Sequence, residues 1–443
     1  MRKLVVLALI AISILIFAKN EVYVNQTETG IRVVTRFREI EFDNNGNLRN
    51  VFLVVNQRTH IFESDGDGFN LLTPDGSEVT AVVSSFVEGE EIGSGVYSGD
   101  VSLTYVYDNG VKKTFTVKNV PDYLMIVNIE TPDTLTLTLP RVWYENNDRM
   151  IMDYFISFAP KGKVLSLCKT SSNSVVGNEI EVVGKASVVS HMGPYKKIFL
   201  KKLFPEDYDL LIEQIKTIDG TSSWYDPVFY PLVWFFWWLF EITKNFGWTI
   251  IIFTIIVRFI LYPLYHAQTK SLIRMRKLQP KFEAIRKKYK NAQKQQEELM
   301  KLYKEEKVNP AGGCLMLLVQ LPVFFLLFTV IRYFQEEFAF GSRFLLWNDL
   351  SIGGFSVNIV FVLATLVASY FNTLITSQDK RSAWQGIVMS VIFPFLFIGL
   401  PSGLFLYYTV NTVIQLLVTY YIYKRYNIKG MTTRELLGLR SKG

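Results

Sequence analysis

Residues 247–265 read GWTIIIFTIIVRFILYPLY, nineteen almost wholly apolar residues with a single arginine, Arg258, inside the run. As a helix rising ~1.5 Å per residue, such a run reaches across a hydrocarbon core ~30 Å thick. It therefore reads as a membrane span, and Arg258 is the residue to explain. Arg258 lies eight residues before His266, ~12 Å along a helix. A charge at that depth costs ~2.5–3.5 kcal/mol unless it faces water or a partner.

Working outward, similar apolar runs recur at 311–331, 355–376, 383–400 and 403–423. Between His266 and Lys307 there are 13 Lys and Arg against 5 Asp and Glu, a net charge of +8, and short basic loops of this kind stay in the cytoplasm. Upstream, 224–246 reads WYDPVFYPLVWFFWWLFEITKNF. Its apolar part, Val228 to Phe240, covers only ~20 Å as a helix, and Trp and Tyr favour the headgroup level, so an interfacial aromatic helix is expected over 224–246. A single crossing at 247–265 then carries the chain inward. Residues 311–331 cross outward, 332–354 form an external loop, 355–376 return, and Lys380-Arg381 mark an inner turn. Residues 383–400 go out, Pro401-Ser402 turn, 403–423 come back, and 426–443 form a basic cytoplasmic tail. Residues 1–20, with Arg2 and Lys3 before a 15-residue apolar run, read as a transmembrane signal anchor. The expected topology has both termini cytoplasmic and six spans, or five if the first is cleaved.

Residues 21–218 have a different character. Short runs of Val, Thr, Ile, Tyr and Phe alternate with polar residues and break at turn signals such as Asp43-Asn44-Asn45-Gly46. VSLTYVYDNGVKKTFTV (101–117) reads as a β-hairpin turning at Asp108-Asn109-Gly110. The stretch is long enough to bury its own core as one external β-sandwich. Cys168 is alone in it and Cys314 falls in a span, so no internal disulfide is expected. The fold class is thus an α-helical polytopic membrane bundle, a five-span core over 247–425 plus the N-terminal anchor, with an external all-β sandwich domain.

Composition excludes much chemistry. The three histidines (His60, His191, His266) and two cysteines form no CxxC or HExxH spacing, and no GxxxxGK[ST] loop is present. No catalytic residue, cofactor, metal or nucleotide is expected. Around Arg258 the other spans offer neutral polar side chains. Gln320 and Gln415 come at a similar depth; Thr254 is one turn from Arg258, and Tyr408, Asn411 and Gln415 share one face of the last span. Singly, such residues often hydrogen-bond between helices. With an arginine that no intramembrane acid can pair, they describe a wet, positive cavity open to the cytoplasm, suited to acidic or polar peptide, lipid phosphate or anions. The loop 268–307 carries apolar residues at helical spacing, from Leu272 and Met275 to Leu302 and Tyr303. It is expected to fold as a helical hairpin turning near Asn291-Ala292, and its charge invites lipid headgroups, ribosomal RNA or acidic proteins.

These residues resemble the YidC, Oxa and Albino insertases over about 225–425. The resemblance rests on IIIFTIIVRFILYPL, QPKFEAIRKKYK, EELMKLYKEEKVNPAGGC, CLMLLVQLPVFFLLF and LPSGLFLYYTVNTVIQ. It implies a chaperone-like protein of the bacterial inner membrane that moves nascent membrane proteins into the lipid bilayer through a hydrophilic groove. Arg258 would be the groove arginine, Thr254 and Tyr408 would match positions that contact client helices, and Gln320 would line the groove. A Sec-type translocon and a ribosome or targeting factor are the partners it implies. The external domain would be periplasmic, with a fold like that of sugar mutarotases. A transporter or channel with an anion pathway is the alternative, and it would require internal repeats and a polar outer half. A sugar-binding β-domain would require clustered acids and histidines.

Overall fold

The computed structural model describes residues 21–55, 58–142, 147–171, 175–219, 224–306, 312–377 and 380–437. The expected anchor at 1–20, the end of the tail and the side chains of Gln320 and Cys314 lie outside what is described. The chain divides into two compact units between Trp224 and Tyr225.

The first unit is built on a 13-stranded antiparallel sheet. It runs from the edge strand Asn147–Ile151 through Tyr154–Ala159, Val164–Thr170, Lys185–Pro194, Leu124–Glu130 and Lys112–Val117 to Val96–Tyr107. It continues through Glu21–Thr27, Gly30–Val34, Arg38–Asp43 and Leu48–Val54 to Arg58–Glu63, and Val82–Gly93 pairs with Val96–Tyr107. A smaller sheet of four strands holds Leu71–Leu72, Leu135–Thr138, Val175–Val176 and Glu179–Val182. The expected hairpin forms with Val101 opposite Val117. Every second residue along it, Val101, Leu103, Tyr105 and Tyr107, then Phe115 and Val117, is buried, as one covered sheet face requires. At the 43–46 turn Gly46 has φ +74°, and a Cβ there would come within 2.6 Å of the Tyr105 ring, so only glycine fits. Helices α1 (Lys197–Leu203) and α2 (Tyr208–Asp219) cover Tyr154, Ile156, Phe158, Leu165 and Leu167 with Leu200, Phe204, Leu211 and Ile215. Cys168 is free and fully buried, and that burial pushes its thiol up to about 12.

The second unit is helical: α3 (Asp226–Thr243), α4 (Phe246–Ile260), α5 (Tyr262–Lys277), α6 (Gln279–Lys288), α7 (Ala292–Glu305), α8 (Gly312–Tyr333), α9 (Gln335–Phe340), α10 (Phe355–Thr376), α11 (Lys380–Leu396), α12 (Ser402–Arg425) and α13 (Thr433–Leu437). Its polarity is that of a body in lipid. Arg258, Asn358, Thr365, Thr409 and Asn411 are buried, whereas Val360, Leu363, Val367 and Phe371 expose one stripe of α10, and Val388, Met389 and Ile392 are exposed on α11. A body in water would leave no such continuous apolar surface uncovered. Helices α10 and α12 are each long and apolar enough to cross a bilayer.

The aromatic segment forms α3 and is packed ring on ring. Phe236 stacks on Phe334 at 4.8 Å between centroids, and Phe240 on Phe246 at 3.9 Å. Asn245 starts α4 by accepting from the backbone N–H of Gly247 and Trp248 at 3.0 and 3.3 Å, which satisfies two otherwise open donors of the first turn. At the same end, Ser402 and Gly403 donate backbone N–H to Ile352 and Leu350, and Asn358 donates to the carbonyls of Ile398 and Leu400. These bonds tie the loop before α10 to the start of α12.

Three local expectations are corrected. The run 247–265 is not one helix: α4 ends at Ile260 and α5 begins at Tyr262, because Pro263 lacks an N–H and its ring crowds the carbonyl four residues back. The helical hairpin turns at Asn291 as expected, with that side chain capping α7. Its first arm, however, is split into α5 and α6 at Leu278, two residues before Pro280, a residue favoured at a helix start. Lys380 and Arg381 begin α11 rather than forming a turn.

Candidate functional site

Arg258 comes from the last turn of α4 and is 7% exposed. Its Nε donates to Asn411 Oδ1 at 2.7 Å, its Nη1 to Gln415 Oε1 at 2.8 Å and its Nη2 to the Asn411 carbonyl at 3.4 Å. Asn411 and Gln415, four residues apart on α12, stand one above the other on a helix face and so present both acceptors to one guanidinium. Gln415 donates its Nε2 to Thr419 Oγ1 at 3.2 Å, which turns Oε1 toward the arginine. Beneath the guanidinium lies the Tyr265 ring, 4.3 Å from Cζ to centroid, a cation–π contact that stabilises the cation without neutralising it. All these partners are neutral. Among the described residues no carboxylate forms an ion pair with Arg258, so the site keeps a full positive charge. Of the five guanidinium N–H groups, three are used by these bonds.

The structure unites only part of the expected set. Arg258, Asn411 and Gln415 meet directly. The cation expected to lack an acidic partner has none among the described residues, and α12 holds it through neutral acceptors. Thr254 is fully buried, and its hydroxyl donates to the Ile250 carbonyl at 2.6 Å, so it serves its own helix. Tyr408 turns toward Phe324 and Phe405, at 6.1 and 6.5 Å between ring centroids, and lines an apolar cavity. Gln320 lies on α8, but its side chain is outside the described residues. Sequence reasoning missed Tyr265 and Thr419. Thr419 was legible as the residue one turn beyond Gln415. Tyr265 was hidden by the break at Leu261, because the spacing from Arg258 holds only if the helix axis carries on past it.

Fold and site together define an integral membrane protein: a bundle apolar outside and polar within, holding a cation among neutral acceptors, on a chain that also bears an antiparallel β-domain. Residues 238–429 match the family model described as "60Kd inner membrane protein". The chain is 54% identical over 444 residues to the membrane protein insertase YidC of Thermotoga maritima, covering 100% of this chain and 99% of that protein. A 36% identical match to the YidC of Geobacter sulfurreducens covers 49% of this chain and 41% of that one. Among solved structures, an active YidC insertase with its first transmembrane domain resolved is 53% identical, with a TM-score of 0.79 over 95% of this chain and 99% of the other. The crystal structure of YidC from Thermotoga maritima is 43% identical, with a TM-score of 0.69 over 90% and 99%. The chain belongs to the YidC family of membrane protein insertases.

Proposed function

We propose that this protein inserts nascent membrane proteins into the bacterial inner membrane by drawing the polar or acidic flank of a client toward Arg258. The observation that carries the reading is the neutral shell around that cation. Asn411, Gln415 and Tyr265 hold it in place and leave its charge unspent. A client carboxylate reaching this depth gains an opposite charge where the hydrocarbon would offer none, which lowers the desolvation cost of its passage. The apolar part of the client then partitions into lipid, gaining ~0.8 kcal/mol per buried CH₂. No nucleotide enters the cycle.

In this reading the six-span topology places 268–307 in the cytoplasm, where its net charge of +8 captures clients delivered by a ribosome or targeting factor. Phe282 meets Tyr303 at 5.2 Å between centroids, which holds the two arms of this hairpin together. The interfacial helix at 224–246 fixes the height of the five-span core, the domain 21–218 is periplasmic and docks partners such as a Sec-type translocon, and 426–443 is a cytoplasmic tail. Gln320, on α8, extends the client path along the groove, whereas Thr254 spends its hydroxyl on Ile250 and Tyr408 faces the separate apolar cavity.

The test is insertion of two single-span clients, alike except for an Asp or a Lys in the translocated flank, into proteoliposomes holding only this protein. Faster protease protection of the Asp client supports the reading. Equal protection of both contradicts it.

A further inference from the structure

A cavity of about 300 Å³ opens between α8 and α12. Leu321, Phe324 and Phe328 wall it on one side and Phe405 and Tyr408 on the other, and among the described residues Arg332 is the one charged residue that lines it. Arg332 belongs to the last turn of α8 and is exposed. Among the described residues it makes no ion pair. Leu321 and Phe325, 43% and 56% exposed, leave the cavity open along the side where the bundle faces hydrocarbon. The site differs from the groove: Tyr408 is seven residues before Gln415 on α12, ~10 Å along the helix axis.

The dimensions select an occupant. From Leu321 to Arg332 is eleven residues, ~16 Å of helix, close to half of a hydrocarbon core ~30 Å thick. That is the depth of one leaflet, and so the length of one acyl chain. An aromatic trough of that length ending in a cation complements an acyl chain ending in a phosphate. A small soluble anion has no use for the phenylalanines, and a client helix would have to continue past Leu321 through the other leaflet. We propose that this cavity binds one chain of a phospholipid, with Arg332 holding the headgroup phosphate. The proposal rests on the membrane reading of the bundle and not on the role of Arg258.

The experiment takes the full-length protein, delipidated in detergent and titrated with dioleoylphosphatidylglycerol, with the singly lipidated species read by native mass spectrometry. Wild type should retain one lipid. Arg332→Ala should weaken retention about tenfold, the usual worth of a charge-assisted bond to phosphate, and Arg332→Lys should stay within about threefold of wild type because the charge remains. Leu321→Trp, which fills the trough from its exposed edge, should also release the lipid, with the lipid-free thermal midpoint of each variant reporting its folding. Wild-type retention by folded Arg332→Ala or Leu321→Trp protein would overturn the proposal. So would a result in which a single-span client peptide, but not the lipid, protects Leu321→Cys from alkylation.

Discussion

Asn411 offers the sharpest way to separate the charge of the groove from its architecture. It accepts from Arg258 twice, through Oδ1 at 2.7 Å and through its carbonyl at 3.4 Å, at a point where the two residues are 8% and 7% exposed. Asn411→Asp leaves an oxygen in the same place and adds a full negative charge. Two unit charges ~4 Å apart attract by ~4 kcal/mol at an effective dielectric constant of 20, and burying the new carboxylate takes back several kcal/mol. The fold should therefore stay close to wild type in thermal midpoint. The client meets a different site, since the net charge falls from +1 to zero. If the arginine contributes ~2 kcal/mol to holding an acidic flank, as charged hydrogen bonds do, insertion should slow about 30-fold. Asn411→Leu does the reverse: it strands Nε, costs roughly 1.5–3 kcal/mol of bundle stability and leaves the charge in place. Protease protection of an Asp-flanked client in proteoliposomes, beside thermal unfolding of the same preparations, reads both effects. Wild-type insertion by folded Asn411→Asp protein would refute the reasoning.

Two further outcomes are expected. Replacing 268–307 by a short Gly-Ser linker should cut client insertion more than tenfold while the thermal midpoint of the β-domain holds; undiminished insertion would remove the capture role from the hairpin. In the β-domain, His191 is fully buried and its Nδ1 donates to the Asp122 carbonyl at 2.6 Å, and burial, helped by the nearby Arg38 cation, lowers its pKa to about 4. Because the folded state favours the neutral ring, its contribution is complete above ~6.5 and is lost as pH falls through about 4, roughly 3 kcal/mol in all. Amide exchange of strand Leu124–Glu130, which pairs with the His191 strand, should show protection falling over that window once intrinsic rates are removed, and constant protection would contradict the assignment.

How much could be read in advance depended on whether a feature is local. The hairpin at 101–117 was legible because period-two alternation and Asp-Asn-Gly are contained within seventeen residues, and the start of α10 at Phe355 followed from its apolar run. Arg258 stood out because a cation in an apolar run violates the pattern around it. Its partners were legible only as a shared face of α12. That Asn411 and Gln415 bond the guanidinium depends on the approach of two helices more than 150 residues apart in sequence, which no periodicity encodes, whereas the bond from Thr254 back to Ile250 is local to one helix. The break at Leu261 was obscured because the apolar run continues through it, although Pro263 carried the signal.

The central claim is that the charge of Arg258 draws clients into the membrane. Its most direct test is insertion of a single-span, acidic-flanked client into proteoliposomes containing wild type, Arg258→Lys or Arg258→Ala, scored by protease protection. Insertion should be full with wild type, reduced but present with Lys, which keeps the charge and loses the fork, and at least tenfold lower with Ala. Equal protection by wild type and folded Arg258→Ala protein would contradict the claim.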